Sequence, residues 1–169
     1  MSLSLKPDYV FDDYRAVTPE LLRALGVRLL LADLDYTLAP KRQSEPDETL
    51  RAWVETLRAD GVTLAVLSNN RSSARVERFC GGLGVSYVGH AGKPGTRGFK
   101  EAMRKHGAAA PETAMMGDKL LTDTLGAKRG GVRMLMVAPK GGPAGAWNRV
   151  LHILQEPFKR LSPHDGRSR

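Results

Sequence analysis

Cysteine is almost missing from this sequence, with Cys80 the single one in 169 residues. An internal disulfide is therefore excluded, and the expected compartment is a reducing cytoplasm. Aromatic residues are scarce as well, at 6%, and no RNA-reading motif accompanies them, which counts against a nucleic-acid module built on base stacking. No apolar stretch approaches the roughly 18 to 20 residues of a membrane span. Residues 1–10 lack the apolar centre of a signal peptide, so the expectation is a soluble, unsecreted chain. Acidic residues are outnumbered, 18 Asp and Glu against 26 Lys and Arg, leaving a formal charge of +8. That balance favours anionic partners: phosphate esters, nucleic acid or acidic membrane surfaces.

What the chain does contain is enough apolar material for one core, with 41% hydrophobic residues. Short apolar runs at Val27–Ala32, Val62–Leu67, Val85–Val88, Thr113–Met116 and Val132–Val137 read as buried strands. Helical spacing separates them. Leu50, Trp53, Val54 and Leu57 follow one helix face, with Ser44-Glu45-Pro46-Asp47 as a capping-box form ahead and Gly61 as a stop. Val76, Phe79, Cys80 and Leu83 repeat the spacing, so Cys80 is expected to be a buried, inert thiol. Phe99, Met103 and His106 mark a third helix, Leu121–Gly130 a short fourth, and Thr18-Pro19-Glu20 opens another ahead of the first strand. This alternation predicts an α/β fold: a doubly wound, Rossmann-like parallel sheet of five strands with helices on both faces. A single domain is expected over residues 1–138. From Pro139 to the end, a Pro/Gly hinge, an amphipathic pattern at Trp147, Val150, Leu151, Leu154 and Phe158, and six basic against two acidic residues suggest a basic helix and a disordered tail. That helix could pack on the domain or lie on anionic lipid.

The strands end in polar residues. The first runs into Asp33 and Asp35, the second into Ser68-Asn69-Asn70, the third is followed by Lys93-Pro94, and the fourth reaches Gly117-Asp118 with Asp123 beyond. Each admits a structural reading alone: an Asx-rich turn, a helix cap, a surface turn, a strand exit. A calcium loop does not fit, because Thr37 and Leu38 stand where Asp or Asn and then Gly are required. In an open α/β sheet, however, carboxyl ends of strands converge on one rim. Three carboxylates, a hydroxyl and an ammonium gathered there are the set needed to hold a divalent cation and transfer a phosphoryl group.

In this order and context, Asp33-Leu34-Asp35-Tyr36-Thr37, Ser68, Lys93 and Gly117-Asp118 with Asp123 resemble the four signatures of the haloacid dehalogenase (HAD) superfamily. Leu5-Lys6-Pro7, Ser68-Asn69-Asn70, Lys93-Pro94, Gly117–Asp123 and Val137-Ala138-Pro139 are similar to its capless subfamily IIIA branch, of the YqeG and phosphatidylglycerophosphate phosphatase type. The resemblance implies an HAD-type fold without a cap and a phosphomonoester hydrolase that uses Mg²⁺. It implies Asp33 as nucleophile, Asp35 as general acid/base, Ser68 as donor to a phosphoryl oxygen and Lys93 as charge stabiliser. The implied metal ligands are Asp33, the backbone carbonyl of Asp35 and Asp118, with Thr37, Asn69 and Asp123 in support. An acid at position 35 favours hydrolysis over storage of the phosphoryl group. Two positions depart from the branch: Tyr36, where Asn is usual, and Lys119, where Gln is common.

Without room for a cap, the substrate is expected to bring its own bulk, as a lipid head group at a membrane would. The leading expectation is phosphatidylglycerophosphate or a related anionic ester, met in the cytoplasm or on the inner face of a membrane. Soluble sugar phosphates or nucleotides are the alternative, and a basic nucleic-acid-binding protein with a vestigial site is a third reading.

Overall fold

The computed structural model describes residues 5–140. Six parallel strands form one sheet: β1 (Tyr9–Phe11), β2 (Leu29–Ala32), β3 (Thr63–Leu67), β4 (Ser86–Val88), β5 (Thr113–Gly117) and β6 (Arg133–Val137), in the order β1-β6-β5-β2-β3-β4. The helices between them are α1 (Pro19–Ala24), α2 (Glu48–Ala59), α3 (Ser73–Leu83), α4 (Arg97–His106) and α5 (Leu125–Gly130). The five expected strands are all present, and the sheet has a sixth. β1 escaped the apolar-run reading because it is three residues long, lies at an edge and is only half-buried except at Phe11. It is recruited by register, with Tyr9 opposite Leu135 and Phe11 opposite Val137.

Why β2 occupies the middle follows from its composition. All four of its residues are buried, and they alternate between layers: Leu30 and Ala32 enter one apolar cluster with Leu50, Trp53, Val76 and Phe79, whereas Leu29 and Leu31 enter the other with Phe99, Met115 and Met134. A strand apolar on both faces can satisfy both only inside a sheet covered on each side. Cys80 is buried in the first layer, as expected.

Local chemistry sets the helix boundaries. Thr18 Oγ1 accepts from Leu21 N at 3.2 Å to start α1, with Pro19 at its first position. The cap of α2 is Asp47, whose Oδ1 accepts from Leu50 N at 2.8 Å. Ser44 is not the cap, because Pro46 intervenes and Asp47 is the acceptor within reach of the first turn. Trp53 Nε1 donates to Val17 O at 3.0 Å, and its ring meets the edge of Tyr14 at 5.0 Å, tying α2 to the N-terminal segment. The expected fourth helix is divided: Leu120–Thr124 form a wide π-type turn, and α5 follows. The helix expected from Trp147 to Phe158, and nearly all of the tail, lie outside the described residues.

Between the sheet's carboxyl rim and α2, α3 and α4 run only loops, at 33–47, 68–72 and 89–96. No separate cap stands over the rim among the described residues.

Candidate active site

β2 delivers Asp33 to the rim. Asp33 N donates to Met116 O at 2.9 Å, so the backbone still pairs with β5 where the side chain turns into the site. Asp118 follows directly on the last residue of β5, and the π-type turn after it brings back Asp123. One oxygen from each of Asp33, Asp118 and Asp123 lies within 4.8 Å of the others. The close return of Asp123 depends on Gly117, where a Cβ would stand 2.3 Å from Asp123 Oδ2. Turns that widen to the π form recur at functional sites, and here the wider turn serves to aim a carboxylate.

Two ammonium groups divide this acidic cluster. Lys93, on the loop between β4 and α4 and only 5% exposed, lies 2.7 Å from Asp123 Oδ1 and 3.2 Å from Asp33 Oδ1. Lys119 approaches from the open side, 3.5 Å from Asp118 Oδ1 and 3.9 Å from Asp33 Oδ2. Asp33 is therefore held between them, with Leu34 N donating to Oδ1 at 2.9 Å. Burial alone would lower the Lys93 pKa, but Asp123 and Asp33 outweigh it and hold the ammonium above its ordinary value. Burial lifts the Asp118 carboxyl to about 7, opposed by Lys119 and reinforced by Asp123 and Asp33. Asp123 is also raised by burial, with Lys93 pulling the other way. Asp118 Oδ1 accepts from Thr37 Oγ1 at 3.3 Å, and Asp118 Oδ2 is buried without a hydrogen-bond partner among the described residues.

Ser68 and Asn69 do different work. Ser68 Oγ accepts from Asn70 N at 3.0 Å, forming a turn ahead of α3; the cap position of α3 belongs to Ser72. Asn69 grips the Lys93 backbone from both sides, donating to Lys93 O at 2.8 Å and accepting from Lys93 N at 2.9 Å. Asp35 stands apart from the acidic cluster. Its Oδ1 pairs with Arg75 at 2.6 Å and its Oδ2 accepts from Asn70 at 3.1 Å. Arg75 also donates to Gln43 O at 2.9 Å and Pro40 O at 3.3 Å, fastening the loop after β2. Nothing in the spacing of α3 singles out Arg75, which is one arginine among several. Tyr36, between the two aspartates and Thr37, adopts the left-handed backbone at φ 64, a region that disfavours a bulky side chain. Its ring lies 5.5 Å from Lys119 Nζ.

Three buried carboxylates, a buried and a partly exposed lysine, and one carboxylate oxygen with no hydrogen-bond donor among the described residues make a place for a cation and an anion together. The HAD-hydrolase-like family profile matches residues 90–142. A Bacillus subtilis (strain 168) protein described as "Probable phosphatase YqeG" is 31% identical over 139 residues, spanning 82% of this chain and 80% of that one. The chain belongs to the HAD phosphatases. A second relative of this phosphatase, the chloroplastic phosphatidylglycerophosphate phosphatase 1 of Chlamydomonas reinhardtii, is 30% identical over 189 residues, covering 97% of this chain and 69% of that one. Among solved structures, the cobalt-bound deoxy-D-mannose-octulosonate 8-phosphate phosphatase of Haemophilus influenzae aligns with a TM-score of 0.53, 18% identity and coverage of 79% of this chain and 90% of that one. The Moraxella catarrhalis 3-deoxy-D-manno-octulosonate 8-phosphate phosphatase, with magnesium and phosphate ions, aligns at 0.51 and 18%, over 83% and 92%. These structural likenesses show that the phosphatase shares their fold.

Proposed function

We propose that this phosphatase is a Mg²⁺-dependent phosphomonoesterase in which Asp33 is the nucleophile and phosphatidylglycerophosphate, or a related anionic ester, is the substrate. The observation that carries the reading is the placement of Asp33 between Lys93 and Lys119, beside an oxygen of Asp118 that has no donor among the described residues. That buried oxygen and its neighbours suit a hard divalent cation, which prefers oxygen ligands. Asp33, Asp118 and the Asp35 carbonyl would hold it, with Asp123 and Thr37 supporting the shell. A bound cation supplies neutralisation of phosphoryl charge.

The chain's own groups account for the remaining steps. Leu34 N and Lys93 hold Asp33 Oδ1 and Lys119 stands 3.9 Å from Oδ2, so both oxygens are fixed in place, and one of them would form the bond to phosphorus as the ester P–O bond breaks. Lys93 and the Ser68 hydroxyl meet the phosphoryl oxygens, where transition-state charge accumulates. Asp35 keeps Oδ1 on Arg75 and uses Oδ2, which accepts from the Asn70 amide, to pass a proton to the leaving alkoxide. Asp35 then takes a proton from the water that attacks phosphorus, releasing phosphate and restoring the Asp33 carboxylate.

For the substrate, the uncapped rim, the excess of basic residues and the activity in the name of the Chlamydomonas relative favour a lipid phosphate approached at an anionic membrane surface. A soluble sugar phosphate is the second reading, favoured by the names of the solved structures that share the fold. No described helix is long and apolar enough to cross a membrane. A phosphate-release panel separates the two: lipid phosphate in mixed micelles, sugar phosphates and nucleotides, each with and without Mg²⁺. Preference for the lipid supports the first reading, and preference for a soluble ester replaces it. Asp33→Asn should abolish turnover on every substrate while the circular dichroism spectrum is retained. Undiminished release by a clean preparation of that variant removes the nucleophile assignment.

A further inference from the structure

We propose that Lys119 is a built-in cation that competes with the divalent metal for Asp33 and Asp118, and thereby sets the metal affinity of the site. The proposal rests on the reading that those carboxylates are metal ligands. Lys119 bridges the pair directly, 3.5 Å from one and 3.9 Å from the other. Lys93 bridges a different pair, Asp33 and Asp123, and is more deeply set, with a side chain 1% exposed. The Lys119 side chain is 30% exposed, so its tip can withdraw while its backbone stays fixed by donation from Lys119 N to Asp123 Oδ2 at 3.1 Å.

Charge shows what withdrawal changes. With its three carboxylates ionised, as they would be to hold a metal, the cluster and its two ammonium groups carry one net negative charge. Without Lys119 the same cluster carries two, and a divalent cation is drawn to it more strongly because the site is shielded from water. The withdrawn ammonium has somewhere to go: the Tyr36 ring is already 5.5 Å from Nζ, within the range of a cation–π contact. Asp118 is not stranded by the exchange, since Thr37 Oγ1 continues to donate to its Oδ1. The ammonium thus keeps the acidic cluster partly neutralised when no metal is present, and metal entry requires its displacement.

The test is Mn²⁺ binding, followed by the loss of the free-ion EPR signal and by calorimetry, in protein free of phosphate. The chains compared are wild type, Lys119→Gln, Lys119→Met, Lys119→Arg and Asp118→Asn, each checked for folding by circular dichroism. Lys119→Gln and Lys119→Met should bind Mn²⁺ at least about tenfold more tightly than wild type, and Lys119→Arg should stay within about threefold of it. The use of two neutral replacements guards against a packing defect in either. Unchanged or weaker binding by both neutral variants overturns the competition, even where the wild-type chain binds Mn²⁺ and Asp118→Asn does not. Absence of any binding that Asp118→Asn removes, in wild type and neutral variants alike, instead overturns the metal site itself, and the competition with it.

Discussion

Lys93→Met should unfold more easily than wild type by about 3–5 kcal/mol, because it removes the cation from between two buried carboxylates while leaving both behind. The Lys93 ammonium stands 2.7 Å from Asp123 and 3.2 Å from Asp33. At an effective dielectric constant near 20, those separations correspond to gross attractions of about 6 and about 5 kcal/mol. Several kcal/mol per ion are returned to desolvation, which brings the net loss into the stated range. Methionine has nearly the same length and no charge, so packing is largely preserved. Urea unfolding of metal-free protein, followed by far-UV circular dichroism, reads the effect. With a slope of about 2 kcal/mol per molar urea, the midpoint should fall by about 1.5–2.5 M. Asp123→Asn added to Lys93→Met should recover a substantial part of the loss, because Asp123 is fully buried and no longer carries an unmatched charge. A Lys93→Met chain within about 1 kcal/mol of wild type, or a double variant no more stable than the single one, would refute the reasoning.

Gly117→Ala should cost about 1–3 kcal/mol and depress phosphate release, since its Cβ collides with Asp123 Oδ2, whereas Gly130→Ala meets Phe99 at an ordinary 3.5 Å and should leave melting temperature and activity near wild type. Burial pushes the Cys80 thiol from its ordinary 9.0 to about 12. The folded chain therefore holds that proton more tightly than the unfolded one, so the associated stability is complete below pH about 9 and is lost as pH rises toward about 12, at no more than about 1.4 kcal/mol per unit. Denaturation midpoints across that window, compared with Cys80→Ala, check the sign, and a thiol reagent at neutral pH should label the protein only as it unfolds. Asp35→Asn should slow an alkyl phosphate far more than an activated aryl phosphate, since only the poorer leaving group needs the proton; equal losses in kcat would argue against Asp35 as the acid.

The central sheet was legible because its strands are apolar on both faces, a pattern that leaves few architectures open. The rim residues were legible because Asp33, Ser68, Lys93 and Asp118 all follow strands whose order predicts convergence. β1 was not, because three residues at an edge carry no periodicity and owe their conformation to β6. Nor was the split after Leu120, where the demand is set by Asp123 reaching back over Gly117 and not by helical propensity. The separation of Asp35 from the other carboxylates was equally hidden: it depends on Arg75, 40 positions away on α3. The left-handed backbone at Tyr36 gives a physical reason for the Asn expected there by resemblance, because Asn tolerates that region and tyrosine does so at a cost.

The hydrogen bond from Lys140 N to Tyr36 O, 2.5 Å long, and the Lys140 ammonium 4.6 Å over the Tyr14 ring fix where the polypeptide departs from β6. Lys140 thus stands one hydrogen bond from the loop that follows Asp33. The opposite terminus leads into Asp8, which pairs with Met134 at the far end of the sheet. A fluorophore attached at Lys140 would accordingly report on the rim that carries Asp33, while one attached at Lys6, just ahead of β1, would stand at the opposite ends of the strands.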